Sequence, residues 1–210
     1  VEMFGDPMTN PMNWTKVNIS TVISGKASNG FFAKRDEYCD SGNVEILGVT
    51  NIVNRMYSNI EGLPRTYGTE NDKQKYMVKY GDILFCRSSL VEEGIGKASI
   101  IPQNTPENVL FECHVIRVPL DLSKCVPEFI QVLTTTDYFR QQIISQSKTA
   151  TMTTIGQDGI LQSIIILPPI KIQKNFQNFI NKTVHYILTM QKNLDTLKIL
   201  KESFLQKYFA

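Results

Sequence analysis

Few residues of this sequence have the types and spacing that catalysis requires. Cys86 and His114 could act as a nucleophile and its base, but Cys86 ends an apolar run, where a buried thiol is usually inert. The tetrad GIGK at residues 94–97 is like part of a phosphate loop, yet it lacks the first glycine of that motif and has Ala98 where Ser or Thr would hold Mg²⁺. We therefore predict a binding protein with no catalytic residues, no metal and no cofactor of its own.

The cysteines indicate a reducing compartment. Cys39, Cys86, Cys113 and Cys125 are widely and irregularly spaced, without a CxxC pair, so neither a disulfide framework nor a zinc site is expected. The longest uninterrupted apolar run, at residues 164–167, is far shorter than the roughly 20 residues that cross a bilayer. We expect a cytoplasmic protein with no membrane partner.

Polar side chains that could read DNA bases are concentrated in four segments. Arg, Lys, Asn, Gln, Ser and Thr can donate and accept hydrogen bonds at base edges when loops project them into a groove. The candidate DNA-binding residues are Lys26, Ser28 and Asn29 with Lys34 and Arg35; Arg65, Thr66 and Tyr67; Arg87, Ser88 and Ser89 with Lys97; and Lys148, Thr149, Thr151 and Thr153. Polar loops are equally typical of any solvated surface, so these residues alone leave DNA contact open.

The charge is unevenly distributed. The net charge of the chain is +2, but residues 168–210 carry +5 and the preceding residues carry −3. The larger part of the chain cannot be held on DNA by bulk positive charge, and any nucleic-acid face must be local.

The elements that position these residues are expected to be short. Strand-like runs at residues 44–49, 77–80, 82–86, 98–101 and 115–118 alternate with turn residues, and residues 14–23 fit a first edge strand or a short helix. Residues 127–146 begin with proline and have apolar residues at helical spacing. The pattern predicts an α+β domain over residues 1–167 with a twisted, mixed or largely antiparallel sheet.

Residues 168–210 predict one long helix. Two prolines open it, no proline or glycine follows Pro169, and 39 residues from Ile170 would span roughly 58 Å. Its apolar residues recur at heptad spacing over more than four heptads, which favours a coiled coil; an amphipathic helix packed along its own domain is the alternative. The predicted helix-pairing residues are Phe176, Ile180, Ile187, Met190, Leu194, Leu197, Phe204 and Tyr208, with Thr183 and Lys201 as exceptions.

Several stretches resemble the specificity subunit of type I restriction–modification systems, in the family's order. They are EMFGDPMTNPMNW at 2–14, GDILFCR at 81–87, GIGKASII at 94–101, FECHVIRV at 111–118, EFIQVLTTTDYFRQQI at 128–143 and ATMTTIGQDGILQSIIILPPIKIQKNF at 150–176. The last is the most specific stretch. Lys148 stands where such sequences often have glycine, and residues 25–72 match nothing in the family, so base-reading residues cannot be transferred.

The resemblance implies one target-recognition domain followed by one conserved coiled-coil helix. The chain would be half of a longer subunit, or a half-sized subunit that forms a homodimer through antiparallel helices and so reads a bipartite target. It would bind double-stranded DNA, methyltransferase (modification) subunits and a restriction/translocase subunit, and those partners would bind the methyl donor and ATP. Arg87 and Ser88 are the strongest candidates for base contact, because they extend directly from a core strand inside a family motif.

Two other functional classes remain open at this point. A globular head on a dimerising coiled coil could bind proteins alone, which the −3 charge of the head favours. An enzyme with an unrecognised site is the other, although acid–base and metal constellations are missing. Salt-dependent binding to duplex DNA would distinguish a DNA-reading protein from the head that binds proteins alone.

Overall fold

The computed structural model describes residues 3–209, apart from the side chains of His185, Leu188 and Phe209. The chain divides after Ile170 into two compact units. We call the first unit, up to Ile170, the head. The second unit is helical.

The elements of the described chain are mostly short. The strands are β1 (Thr15–Asn18), β2 (Ser28–Asn29), β3 (Val44–Leu47), β4 (Arg65–Thr66), β5 (Asp82–Cys86), β6 (Ser88–Ser89), β7 (Ala98–Ile100), β8 (Val109–Phe111), β9 (Val115–Pro119), β10 (Lys148–Thr149), β11 (Thr153–Thr154) and β12 (Ile164–Leu167). The α-helices are α1 (Val49–Ile52), α2 (Glu70–Tyr76), α3 (Pro127–Thr134), α4 (Asp137–Gln146), α5 (Gln157–Leu161) and α6 (Ile170–Phe209). Single 3-10 turns occupy Ile19–Val22, Arg35–Glu37 and Glu92–Gly94.

A four-stranded antiparallel sheet in the order β2-β9-β5-β7 forms the centre of the head. All five residues of β5 are buried, because this strand has neighbours on both sides and α3 packs against it. Its one charged residue, Asp82, accepts a hydrogen bond from the backbone N–H of Lys79 (3.0 Å). The strand is buried along its whole length, and the end of this burial marks where β5 ends and the following polar segment begins.

Three smaller sheets surround the central one. β3 pairs with β4 antiparallel and with β8 parallel, β1 pairs with β12, and β6 joins the β10–β11 hairpin. Four phenylalanines fill the core between these layers: Phe85, Phe111, Phe129 and Phe139. The predicted α+β fold, with mixed sheets followed by a long C-terminal helix, is confirmed.

Most of the predicted strands are present, and one is wrong. The runs in residues 44–49, 82–86, 98–101 and 115–118 all contain strands, and residues 14–23 contain both a strand and a 3-10 turn. Residues 77–80 form no strand, although Met77 makes one isolated bridge to Leu110. A turn closed by the hydrogen bond from the N–H of Asp82 to the carbonyl of Lys79 (3.0 Å), with Gly81 at φ +96°, ends this segment before a ladder forms.

Residues 127–146 form two helices, α3 and α4, where the apolar spacing predicted one. Three consecutive threonines cause the break: the hydroxyls of Thr134, Thr135 and Thr136 each donate to a backbone carbonyl three residues earlier, at 2.6–2.7 Å. Such local bonds compete with the helical pattern. Thr136 then caps α4 by accepting a hydrogen bond from the backbone N–H of Phe139 (3.4 Å).

The predicted long helix is confirmed as α6, which begins at Ile170, directly after the two prolines, and has 40 residues. The heptad residues Ile187, Met190, Leu194, Leu197, Phe204 and Tyr208 are exposed, whereas Phe176 and Ile180 are partly buried. Pairing through these residues stays a prediction. In the part of the chain that the structure describes, no helix is long and apolar enough to span a bilayer.

Candidate nucleic-acid interface

Two of the predicted DNA-binding segments meet in one small sheet. Lys148 and Thr149 pair with Thr154 and Thr153 in the hairpin, and β11 pairs on its other side with Ser88 and Ser89 of β6. The hydroxyls of Thr149 and Thr153 lie 3.1 Å apart. We call β6, β10 and β11 the polar ribbon. About sixty residues separate its strands in the sequence, so only the fold brings these side chains together.

Arg87 lies between the buried strand β5 and the polar ribbon and is held by its backbone on two sides. Its N–H donates to the carbonyl of His114 (2.8 Å), and its carbonyl accepts from the N–H of Ile155 (3.0 Å). Its guanidinium Nη1 donates to the carbonyl of Cys113 (3.3 Å), and the residue is half-buried. The rigid mounting that the sequence predicted for Arg87 is therefore present, and its guanidinium retains donors beyond this one bond.

A cavity of about 590 Å³ lies on the Cys113–His114 side of Arg87. Its lining is aromatic and basic with one carboxylate: Phe31, Phe32, Ala33, Lys34, Arg35, Tyr38, Glu112, Cys113 and His114. Lys34, Arg35 and His114 are exposed. Burial, followed by the charge of Glu112, raises the pKa of both the Tyr38 hydroxyl and the Cys113 thiol. Both groups are thus neutral at physiological pH, and Lys34 and Arg35 supply formal charge beside Glu112.

The segment around Arg65 is hydrogen-bonded to residues 37–41, next to the cavity-lining residue Tyr38. The carbonyl of Arg65 accepts from the N–H of Cys39 (2.9 Å), and the hydroxyl of Thr66 donates to the carbonyl of Glu37 (2.9 Å). The hydroxyl of Tyr67 donates to Ser41 Oγ (3.0 Å), and its ring is exposed. The guanidinium of Arg65 lies 3.9 Å from the carboxylate of Glu45, which offsets part of its charge.

Through residues 37–41, the cavity and the backbone of residues 113–114, parts of all four predicted segments are therefore connected into one surface. It runs from residues 65–67 through residues 34–41 and the cavity to Arg87 and the polar ribbon. We call this surface the recognition face. It is largely built from backbone hydrogen bonds, so its framework does not depend on the identity of the side chains it displays.

The segment containing Lys26, Ser28 and Asn29 makes different contacts within the head. Lys26 is exposed, but the hydroxyl of Ser28 is buried with no hydrogen-bond partner among the described residues, so solvent does not reach it. Asn29 Oδ1 accepts a hydrogen bond from Gln157 Nε2 (3.3 Å), which connects β2 to the residues that follow the polar ribbon. Of these residues, Lys26 is therefore the most available for contact.

Two further predicted residues are not displayed on the recognition face. Lys97 donates to Asn54 Oδ1 (2.6 Å) and lines a separate cavity of about 650 Å³ beside α3 and α4. Thr153 is buried inside the polar ribbon, while Thr149 and Thr151 are exposed. The GIGK tetrad lies in the turn before β7, with Gly96 at φ +63°.

The geometry gives no support to thiol catalysis. Cys86 is buried, its thiol donates to the carbonyl of Ser88 (3.2 Å), and burial raises the pKa of this thiol. His114, its sequence-level partner, is exposed. Within residues 3–209, no three His, Cys, Asp or Glu side chains are grouped closely enough to hold a metal ion.

Sequence reasoning missed the exposed apolar residues of this region. In the described part of the head, the four most exposed large apolar side chains are Leu90, Phe32, Tyr67 and Val91, at 82, 68, 62 and 58%. Leu90, Phe32 and Tyr67 lie in or next to segments of the recognition face. Val91 follows Leu90 at the end of the polar ribbon. Only Tyr67 was among the predicted residues. The adjacent pair Phe31 and Phe32 beside Lys34 and Arg35 was the available signal.

The structure places the chain in a class of two-part proteins, in which an α+β head with a polar face is followed by a long helix. Comparison with known proteins gives the class its family. Residues 11–199 match the type I restriction modification DNA specificity domain, and the chain belongs to this family. The resemblance predicted from the sequence motifs is thereby confirmed.

Two curated relatives and one solved structure illustrate the likeness. The chain is similar to the Escherichia coli (strain K12) type I restriction enzyme EcoKI specificity subunit, with 25% identity over 67% of this chain and 31% of the relative. It is similar to the putative MjaX specificity subunit of Methanocaldococcus jannaschii, with 27% identity over 67% of this chain and 33% of the relative. The HsdS subunit from Thermoanaerobacter tengcongensis shares its fold, with a TM-score of 0.58, 13% identity, and coverage of 94% of this chain and 48% of that one.

The chain thus spans about a third of the length of these curated relatives and about half of the solved subunit.

Proposed function

We propose that the head reads a DNA sequence in double-stranded form through the recognition face. One observation supports the proposal: parts of four separate polar segments are connected around Arg87 into a single surface. Arg87 is mounted by its backbone and keeps free guanidinium donors, which suits bidentate contact with a guanine. Lys34 and Arg35 are placed to contact phosphates beside it, which orient the protein on the duplex.

Selection from a pool of random duplexes tests this function. The 210-residue chain is expected to enrich one short sequence, and its affinity for that duplex should fall steeply as salt rises, because phosphate contacts release counterions. Arg87→Ala should weaken binding to the selected duplex by about 1–3 kcal/mol and relax the preference at one position. Arg55→Ala is the matched control, since Arg55 is exposed but lines the other cavity.

The outcome that contradicts the proposal is equally defined. A chain that enriches no sequence, or whose binding is insensitive to salt, does not read DNA. An Arg87→Ala protein that remains folded and keeps full affinity removes Arg87 from the interface.

We infer that α6 pairs with a second helix and docks partner subunits. Six exposed heptad residues on a helix of 40 residues support this role, because an apolar stripe of that length normally marks an association surface. The second helix would come from the other half of a longer subunit or, antiparallel, from a second copy. Each head would then read one half of a bipartite target in the cytoplasm. Methyltransferase subunits and a restriction/translocase subunit would supply the methyl donor, ATP and chemistry.

A protein-only adaptor is the second candidate. The −3 charge of the sequence before residue 168 favours it, because phosphate binding normally draws on an excess of positive charge. Salt-independent behaviour in the selection experiment, together with retained helix pairing, would support the adaptor.

A further inference from the structure

The backbone on both sides of Phe32 is fixed, although its side chain is exposed. The N–H of Phe31 donates to the carbonyl of Phe111 (2.7 Å), and the ring of Phe31 lies edge-on against Tyr76 with centroids 5.7 Å apart. A side chain at Gly30 would collide with the carbonyl oxygens of Phe111 and Glu112, so the chain approaches β8 very closely here. Consecutive phenylalanines thus have opposite roles, one as an anchor and the other displayed.

The segment after Phe32 is equally well held. The N–H of Lys34 donates to the carboxylate of Glu37 (2.8 Å), and the N–H of Glu37 donates back to the carbonyl of Lys34 (3.1 Å). This reciprocal pair closes a 3-10 turn that presents Lys34 and Arg35 to solvent. Phe32 is therefore an exposed apolar side chain on a well-held backbone, with cations two and three residues away.

Phe32 is 68% exposed, so most of the apolar area that a phenylalanine could bury in the head remains in water. On an intact duplex the base faces are covered by stacking, so a ring cannot stack on them without opening the helix. The apolar group that a duplex offers in its major groove is the 5-methyl group of thymine, and phenylalanine is one of the side chains that contact it. Leu90 and Val91 fit DNA less well, because the exposed carboxylates of Glu92 and Glu93 follow them directly and repel phosphates. Lys34 and Arg35, by contrast, stand between Phe32 and the exposed carboxylates of Asp36 and Glu37.

We propose that Phe32 determines specificity on the recognition face by contacting the 5-methyl group of a thymine in the major groove. This inference rests on the proposed function, since it requires the face to meet duplex DNA. It adds an apolar contact to a surface otherwise described by hydrogen-bond donors and acceptors. Arg87 would select one base pair and Phe32 another.

Single replacement of each thymine by deoxyuridine in the selected duplex tests the inference, because it removes only the methyl group. The wild-type chain should lose about fourfold in affinity at one thymine, as expected for one methyl-sized apolar group returned to water. Phe32→Ala should lose at least that factor on the thymine duplex and show no further loss at the same position with deoxyuridine. Phe32→Leu should keep part of the discrimination.

Met8→Ala is the matched control, because Met8 is also an exposed apolar residue of the head, at 53%, but belongs to none of these segments. It should bind both duplexes as the wild type does. The wild-type deoxyuridine scan is independent of whether any variant folds.

Two results overturn the inference alone: specific binding by the wild type with no loss at any deoxyuridine, or a Phe32→Ala protein that still discriminates thymine from deoxyuridine. A selected sequence that contains no thymine on either strand would also overturn this inference alone. If the wild type selects no sequence at all, the proposed function itself fails, and this inference fails with it.

Discussion

Replacement of Leu194 by aspartate is the sharpest test of the helix. Leu194 occupies a heptad core position of α6 and is 47% exposed in the single chain. Burial of a whole leucine side chain contributes roughly 1.5–3 kcal/mol, so covering its exposed half in a helix pair contributes about 0.7–1.5 kcal/mol per chain. In a symmetric pair both copies are changed, and Leu194→Asp should weaken association by roughly 1.5–3 kcal/mol, or about 10- to 150-fold in Kd.

The buried aspartate adds to that loss. A carboxylate placed in the apolar seam without a partner must lose hydration or become protonated, and either costs further free energy. Asn178→Asp is the matched control. Asn178 is exposed. It lies two residues after the seam residue Phe176, at the heptad position farthest from the seam, so the control adds the same charge on the opposite side of the helix.

Sedimentation equilibrium over a dilution series measures the effect directly. The wild type and Asn178→Asp should associate with similar Kd, while Leu194→Asp should be displaced toward the monomer by at least tenfold. Because Leu194 is exposed in the single chain, the change should leave the thermal stability of the head unaltered. An unchanged sedimentation mass for Leu194→Asp would refute the seam as the association surface.

Two further predictions concern the head. Burial raises the pKa of Asp82 in the folded state. This group therefore increases the free energy of unfolding below its unfolded pKa of about 4, and the increase is lost as the pH rises through the folded-state pKa. In Asp82→Asn this decrease in the free energy of unfolding should be absent. Urea denaturation at a series of pH values measures it, and identical profiles for the wild type and Asp82→Asn would contradict the prediction. Gly96→Ala should destabilise the head by more than about 1 kcal/mol, because Gly96 has φ +63° and a new Cβ would lie 2.5 Å from Ile143 Cγ2. Gly25→Ala meets only Pro119 at 3.6 Å and should be close to neutral in the same thermal unfolding assay.

The elements that the sequence predicted well are those with a strong local signal. β5 contains a continuous apolar run at residues 83–86, between Asp82 and Arg87, and α6 follows a double proline and has no further breaker. Each therefore carries its own boundaries. The break between α3 and α4 was also encoded locally, in Thr134, Thr135 and Thr136. It was missed because the apolar spacing of the flanking residues continues across it, and hydroxyl bonds to the backbone are invisible to a periodicity argument.

The recognition face could be predicted only in part, because its assembly is a matter of tertiary contacts. Nothing near Ser88 indicates that it pairs with Thr154, since two-residue strands have no periodicity and their partner lies more than sixty residues away. Residue type suggested Ser28 and Thr153, but the hydroxyl of Ser28 and the whole of Thr153 are buried. Residue type also passed over Phe32, because an aromatic residue in a sequence is expected in the core unless the structure places it outside.

The division between framework and display follows from how the face is built. The carbonyl of Arg87, the N–H of Phe31 and the carbonyl of Arg65 are backbone groups, and each is bonded to another segment of the head. Backbone bonds of this kind tolerate a change of side chain, so the same framework can present different residues at the positions that point outward. Under the proposed function, buried β5 would support Arg87 regardless of which base Arg87 contacts. A surface with this construction can change its specificity by substitution at a few displayed positions, while the contacts that hold its segments together stay the same.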